Sequence, residues 1–138
     1  MRRKVCAFIF TRGPPAKVLL LHRAPGHMRG GWHPVTGHVE ANDSSLAAAA
    51  AREVAEETGL SGRILDVGSV ARFDQDLDGD RVRFEEHAFG VEVPDAELPT
   101  LSVEHTQAAW VTVDEARRRL TFRSQLEALD ALEQVLRR

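Results

Sequence analysis

Apolar residues run almost unbroken through Val5–Phe10 and again through Val18–Leu21, with Gly13-Pro14-Pro15 between them. Short, continuous, β-prone runs bounded by turn residues predict two strands of a buried sheet, paired as a hairpin. Ala24–Gly31 is rich in Gly and Pro and reads as a loop, followed by Trp32-His33-Pro34-Val35-Thr36. Ile64–Phe73 and Arg83–Val93 are strand-like and flank the acidic stretch Asp74–Asp80, in which Asp78-Gly79 supplies a tight-turn dipeptide. Ala108–Val111 is a short strand. Thr112, with Glu115 three residues on, forms a capping box that opens a helix. In the closing segment Phe122–Leu136, Leu126, Leu129, Leu132 and Leu136 recur at helical spacing and predict an amphipathic helix packed on the core.

The one long helix in the middle of the chain has a different character. Ser44–Ala51 is an excellent helix former with Ser or Asp available as N-cap, and Gly59 stands where a left-handed cap ends a helix. Leu46, Ala47, Ala50, Ala51 and Val54 fall on a packing flank. Beside them, Glu53, Glu56 and Glu57 lie three and four residues apart and are expected to share one face. Like charges so placed repel unless a cation balances them, and Mg²⁺ takes one or two carboxylates together with substrate phosphate oxygens. A solvated acidic face is the competing use of the same residues.

Composition adds boundaries. The 138 residues, 43% hydrophobic and 28% charged, suit one globular domain over 1–138. A net charge of −3 gives no reason to expect nucleic acid as a partner, and no run approaches the length of a membrane span. Cys6 is the sole cysteine, which excludes an intrachain disulfide and points to a reducing cytoplasm. Arg2, Arg3 and Lys4 read as a solvated terminus rather than as substrate ligands. Trp32 reads as a core cap rather than a stacking platform, and Arg81 and Arg83 as members of cross-strand ion pairs.

Around the acidic helix, Gly37, Arg52, Glu53, Val54, Glu56, Glu57, Gly59 and Leu60 match the pattern G-x5-E-x7-R-E-U-x-E-E-x-G-U, with U apolar. The stretch therefore resembles the Nudix box. Two departures stand out: Asp43 occupies the first acidic position, and eight residues rather than seven separate it from Arg52. An extra residue is absorbed most easily in the loop before the helix, since inside the helix it would rotate one half against the other. The resemblance implies an α/β fold, an α/β/α sandwich on a mixed sheet. It also implies cleavage of a phosphoanhydride with Mg²⁺ (or Mn²⁺) held by Glu53, Glu57 and Glu56, a backbone carbonyl at Thr36 or Gly37 completing the shell, and Arg52 orienting a glutamate. The base often lies on a later loop in such proteins, for which Glu104 is the candidate.

The run Trp32–Glu40, the Glu104-His105 pair and the Ser-containing closing segment are similar to the dihydroneopterin triphosphate diphosphatase branch, whose members also cleave dATP. That likeness makes Arg23, Thr36, His105 and Ser124 candidate substrate contacts and adds Glu104 to the metal sites. The expected partner is a small nucleotide or pterin phosphate, with no nucleic acid and no membrane; many Nudix proteins are homodimers. Hydrolysis of ADP-ribose, a dinucleoside polyphosphate or another nucleoside diphosphate derivative is the alternative within the same chemistry. A silent nucleotide-binding domain is the alternative outside it, and retention of all three helix glutamates favours the enzyme.

Overall fold

The computed structural model describes residues 1–23, 31–103 and 105–138. The loop expected at Ala24–Gly31 therefore falls, except for Gly31, outside the described residues, as does Glu104. Among the described residues, seven strands and three helices follow in chain order: β1 (Arg2–Thr11), β2 (Lys17–Arg23), β3 (Trp32–His33), β4 (Val35–His38), α1 (Leu46–Thr58), β5 (Arg63–Leu77), β6 (Asp80–Glu92), β7 (His105–Thr112), α2 (Val113–Arg119) and α3 (Arg123–Leu136). The sheet is mixed. β1 runs parallel to β6 and antiparallel to β2 and β4, β2 also pairs with β3 and β7, and β5 closes the far edge against β6.

The runs Val5–Phe10 of β1 and Val18–Leu21 of β2 are apolar because both faces of the sheet are covered there. Val5, Ala7, Ile9, Leu19 and Leu21 point to one core with Ala49, Ala50 and Val54 of α1. Cys6, Phe8, Phe10, Val18 and Leu20 point to the other with Ala116 of α2 and Ala128, Leu129 and Leu132 of α3. Helices thus sandwich the sheet. The β1–β2 hairpin is present but brief, holding only Phe10↔Val18 and Thr11↔Lys17, because the rest of each strand pairs elsewhere.

The local signals sit where the chain chemistry places them. Ser45 caps α1 by accepting from the Ala48 amide, Gly59 ends it at φ 71°, and Thr112 caps α2 through the Glu115 amide. Asp78 and Gly79 both take positive φ in the tight β5–β6 turn, where Arg81–Asp76 and Arg83–Asp74 pair across the strands. One flank differs from expectation: Ala49 is buried and Ala51 is exposed, because α1 turns its apolar side toward β1 a little differently from the simple wheel. Trp32 packs against the second core, with the Arg119 guanidinium 4.9 Å over its ring.

Candidate active site

Arg52 is the hub of the acidic helix. Its Nε and Nη2 each donate at 2.9 Å to one oxygen of Asp43, Nη1 donates to Glu53 at 2.9 Å and to Glu56 at 3.2 Å, and Nη2 also donates to the His38 carbonyl at 3.0 Å. Asp43 in turn accepts from the Glu40 amide at 2.8 Å. The side chain of Asp43 is only 5% exposed, and the paired guanidinium, then the Glu40 amide, hold its carboxyl below the usual carboxylate range. Asp43, the shorter acid of the variant box, thus makes a two-point bond to the arginine that a planar guanidinium favours. The additional residue lies before or at the start of α1, since the helix from Leu46 to Gly59 is regular.

The three glutamates do not share one environment, contrary to the expectation of a single face. Glu56 is solvent-exposed beside Arg52. Glu53 is half-buried and forms a hydrogen bond with Glu57; burial first, with the charge of Glu56 adding, pushes its carboxyl upward against the opposing pull of Arg52. Glu57 does not stand open in a cleft but is 5% exposed, with Oε1 3.7 Å from Nε2 of His105. Among the described residues, no three of His, Cys, Asp and Glu converge into a ready-made metal cluster; the acids that meet are Glu53 and Glu57.

Gly37 explains itself by what a side chain there would strike. A Cβ would land on the carboxyl group of Glu53. Because strand residues alternate in direction, Val35 and Gly37 face α1 while Thr36 faces the opposite side.

That opposite side holds a cavity of about 750 Å³ between the sheet and the start of α3, lined by Lys4, Arg23, Thr36, Glu86, Phe122 and Ser124 among others. Three of the four expected substrate contacts, Arg23, Thr36 and Ser124, gather there. Arg23 Nη2 donates to Thr36 Oγ1 at 2.6 Å. Strict alternation would send Arg23 with Leu19 and Leu21 toward α1, but the β2–β7 register shifts between His22 and Arg23. His105 is the exception. It is buried beside Glu57 with Nδ1 3.5 Å from Ser102 Oγ, and is not among the described residues that line the cavity.

Among the lining residues not anticipated are two buried charges. Lys4, read as part of a solvated terminus, is 5% exposed, and Glu86 is 6% exposed. The signal for Glu86 lay in strand parity, since Phe84 and Ala88 flank it at the two-residue spacing of an inward face. Lys4 shares the parity of Cys6, Phe8 and Phe10.

The NUDIX domain profile matches residues 1–132. Over 130 residues the chain is 39% identical to the octanoyltransferase of Myxococcus xanthus, covering 94% of this chain and 36% of that protein; it thus spans about a third of the length of that curated relative. A protein from Listeria monocytogenes assigned as a Nudix hydrolase superposes with a TM-score of 0.84 at 23% identity, covering 99% of this chain and 95% of that one. The Escherichia coli dihydroneopterin triphosphate pyrophosphohydrolase superposes with a TM-score of 0.79 at 22% identity, covering 93% and 92%. At these identities the solved structures speak for the fold. The box residues locked around Arg52, the sandwich of helices on a mixed sheet and a profile match over nearly the whole chain lead to one assignment: the protein belongs to the Nudix family of hydrolases.

Proposed function

We propose that the protein is a divalent-metal-dependent pyrophosphohydrolase that splits a pterin or (deoxy)nucleoside triphosphate into monophosphate and pyrophosphate. The observation that carries this reading is the juxtaposition, across β4, of a close carboxylate pair on one face and, on the other, a cavity whose edge at β4 carries the paired Arg23 and Thr36. Nudix hydrolases generally use a divalent metal, and the pair Glu53–Glu57 suits one. Glu53 and Glu57 meet closely enough to hydrogen-bond, and a divalent cation held by both would offset the repulsion of their charges. Glu53 and Glu57 would hold the ion, with Glu56 at the rim. When bound, Mg²⁺ supplies positive charge to the phosphoryl oxygens and acidifies a water.

The chain's own residues do the positioning. Arg52 fixes the Glu53 carboxylate, and Asp43 fixes Arg52 in turn. Gly37 leaves room for that carboxylate beside β4 and is retained as the candidate backbone ligand. His105 backs Glu57. Arg23 and Thr36 are set to take phosphate oxygens where the cavity meets β4, with Ser124 across from them. Glu104 is retained as the proposed base. Two residues before it in sequence, the Ser102 amide donates to the Glu57 carbonyl at 3.3 Å. A buried free thiol at Cys6 agrees with a cytoplasmic setting.

The test is product analysis with Mg²⁺ over dihydroneopterin triphosphate, the common nucleoside triphosphates, ADP-ribose and diadenosine polyphosphates. Monophosphate plus pyrophosphate from a triphosphate, abolished in Glu57→Gln, is the expected result. Turnover confined to ADP-ribose or a dinucleotide would overturn the substrate class while keeping the chemistry. Full activity in the variant would remove Glu57 from the site.

A further inference from the structure

Lys4 and Glu86 are direct cross-strand partners in the parallel β1–β6 ladder, so both side chains leave the sheet on the same face. That face is the floor of the cavity. Both residues are more than nine-tenths buried, yet neither hydrogen-bonds to any described residue; the contact of Lys4 is the Phe84 ring, 5.5 Å from Nζ. Their charged ends reach the cavity rather than a protein partner, so a ligand seated there can supply the hydrogen bonds that the protein does not.

The arrangement specifies a complement. The carboxylate accepts only, and the ammonium donates only. A ligand edge satisfying both carboxylate oxygens and the ammonium must offer two adjacent N–H donors next to an acceptor oxygen. Burial, the first cause for each group, pushes Glu86 upward and Lys4 downward toward their neutral forms, against their mutual attraction.

The phosphates belong elsewhere. An anion beside Glu86 is repelled, whereas Arg23 and Thr36 lie next to Gly37, where β4 leads round to the Glu53–Glu57 pair. The ring is then left in the cavity, with Phe73 and Phe122 among its walls.

We infer that Glu86 and Lys4 read the edge of a 2-amino-4-oxopyrimidine ring, the unit shared by guanine and pterins, with Glu86 accepting from the ring N–H and exocyclic amine and Lys4 donating to the oxo group. This rests on the triphosphate reading above and narrows it. Adenine presents an amine where Lys4 needs an acceptor. Thymine and cytosine lack the paired donors.

The experiment changes the substrate before it changes the protein, so folding cannot confound it. Steady-state kcat/KM with Mg²⁺ is measured for dGTP, dITP (which lacks only the 2-amino group) and dATP, and calorimetric binding of dGMP, dIMP and dAMP is measured without metal. Charge-assisted hydrogen bonds predict dGTP over dITP by about 10- to 100-fold, with the same order in binding. In Glu86→Gln the dGTP-to-dITP ratio should fall toward unity, while the dITP rate changes far less. In Lys4→Met all oxo-bearing substrates should weaken together. Triphosphate turnover with equal dGTP and dITP rates, or a ratio unaltered in Glu86→Gln, overturns the inference and leaves the proposed function standing. If no triphosphate turns over, the proposed function fails, and the binding series decides alone: selective binding of dGMP over dIMP supports the edge-reading, and indiscriminate or absent binding overturns it.

Discussion

Replacing Gly37 by Ala adds one methyl group at a point where the structure leaves no space. The added Cβ coincides with the carboxyl group of Glu53. Gly37 lies in a regular strand paired with Val5 and has no positive φ, so the backbone accepts alanine and the whole perturbation is steric. The Glu53 carboxyl must leave its place, losing the 2.9 Å bond from Arg52 and its bond to Glu57. Because the displaced atoms are the far end of a flexible side chain, the cost falls at the low end of overpacking, about 1 kcal/mol. At roughly 3–5 °C per kcal/mol for a domain of this size, the melting temperature should fall by about 3–5 °C. If Glu53 holds the metal as proposed, displacing its carboxylate by an ångström or more should lower kcat/KM about 100-fold or more. Thermal unfolding and triphosphate hydrolysis, run in parallel, measure both effects. Shortening the acid as well, in Gly37→Ala/Glu53→Asp, withdraws the carboxyl by one methylene and should recover much of the stability but not the activity. A single variant with wild-type melting and wild-type kcat/KM would show that Glu53 does not lie against Gly37 and would refute the packing argument.

Other consequences can be checked directly. Glu57→Gln removes a charge from a buried pair without changing shape, so stability should hold or rise while stabilisation by added Mg²⁺ in a thermal-shift assay disappears. Arg52 depresses the folded pKa of Asp43, so the Asp43 contribution is fully present above its unfolded value, about 4, and is lost as pH falls through the lower folded value. Urea midpoints across this range should therefore fall more steeply with acid in the wild type than in Asp43→Asn, and parallel curves would remove Asp43 from the linkage. Leu132, fully buried between α3 and the sheet, should cost about 2–5 kcal/mol when changed to Ala, read by urea denaturation.

How far the chain could be read before folding depended on the range of each signal. Ser45, Gly59, Thr112 and Asp78-Gly79 act through bonds and dihedrals within a few residues, so their caps and turn were legible as local chemistry. The continuous apolar runs of β1 and β2 announced strands in a buried sheet. They could not announce that β1 would pair mainly with β4 and β6, because no local feature selects a partner about 80 residues away. The glutamate cluster was legible as a motif. A helical wheel, however, places side chains around an axis without knowing what packs on it, and His105 and Gly37 are what separate Glu57 and Glu53 from the exposed Glu56.

What the amino-acid sequence determined on its own was the set of elements and the chemistry of the acidic helix, through periodicity, capping and a spaced motif that act along the chain. Tertiary structure decided which charges leave water. The β1–β6 register brings Lys4 beside Glu86, a shifted register turns Arg23 toward Thr36, and the absent side chain of Gly37 admits the Glu53 carboxylate. Burial of charge is a property of neighbours distant in sequence, and only the folded sheet brings those neighbours together.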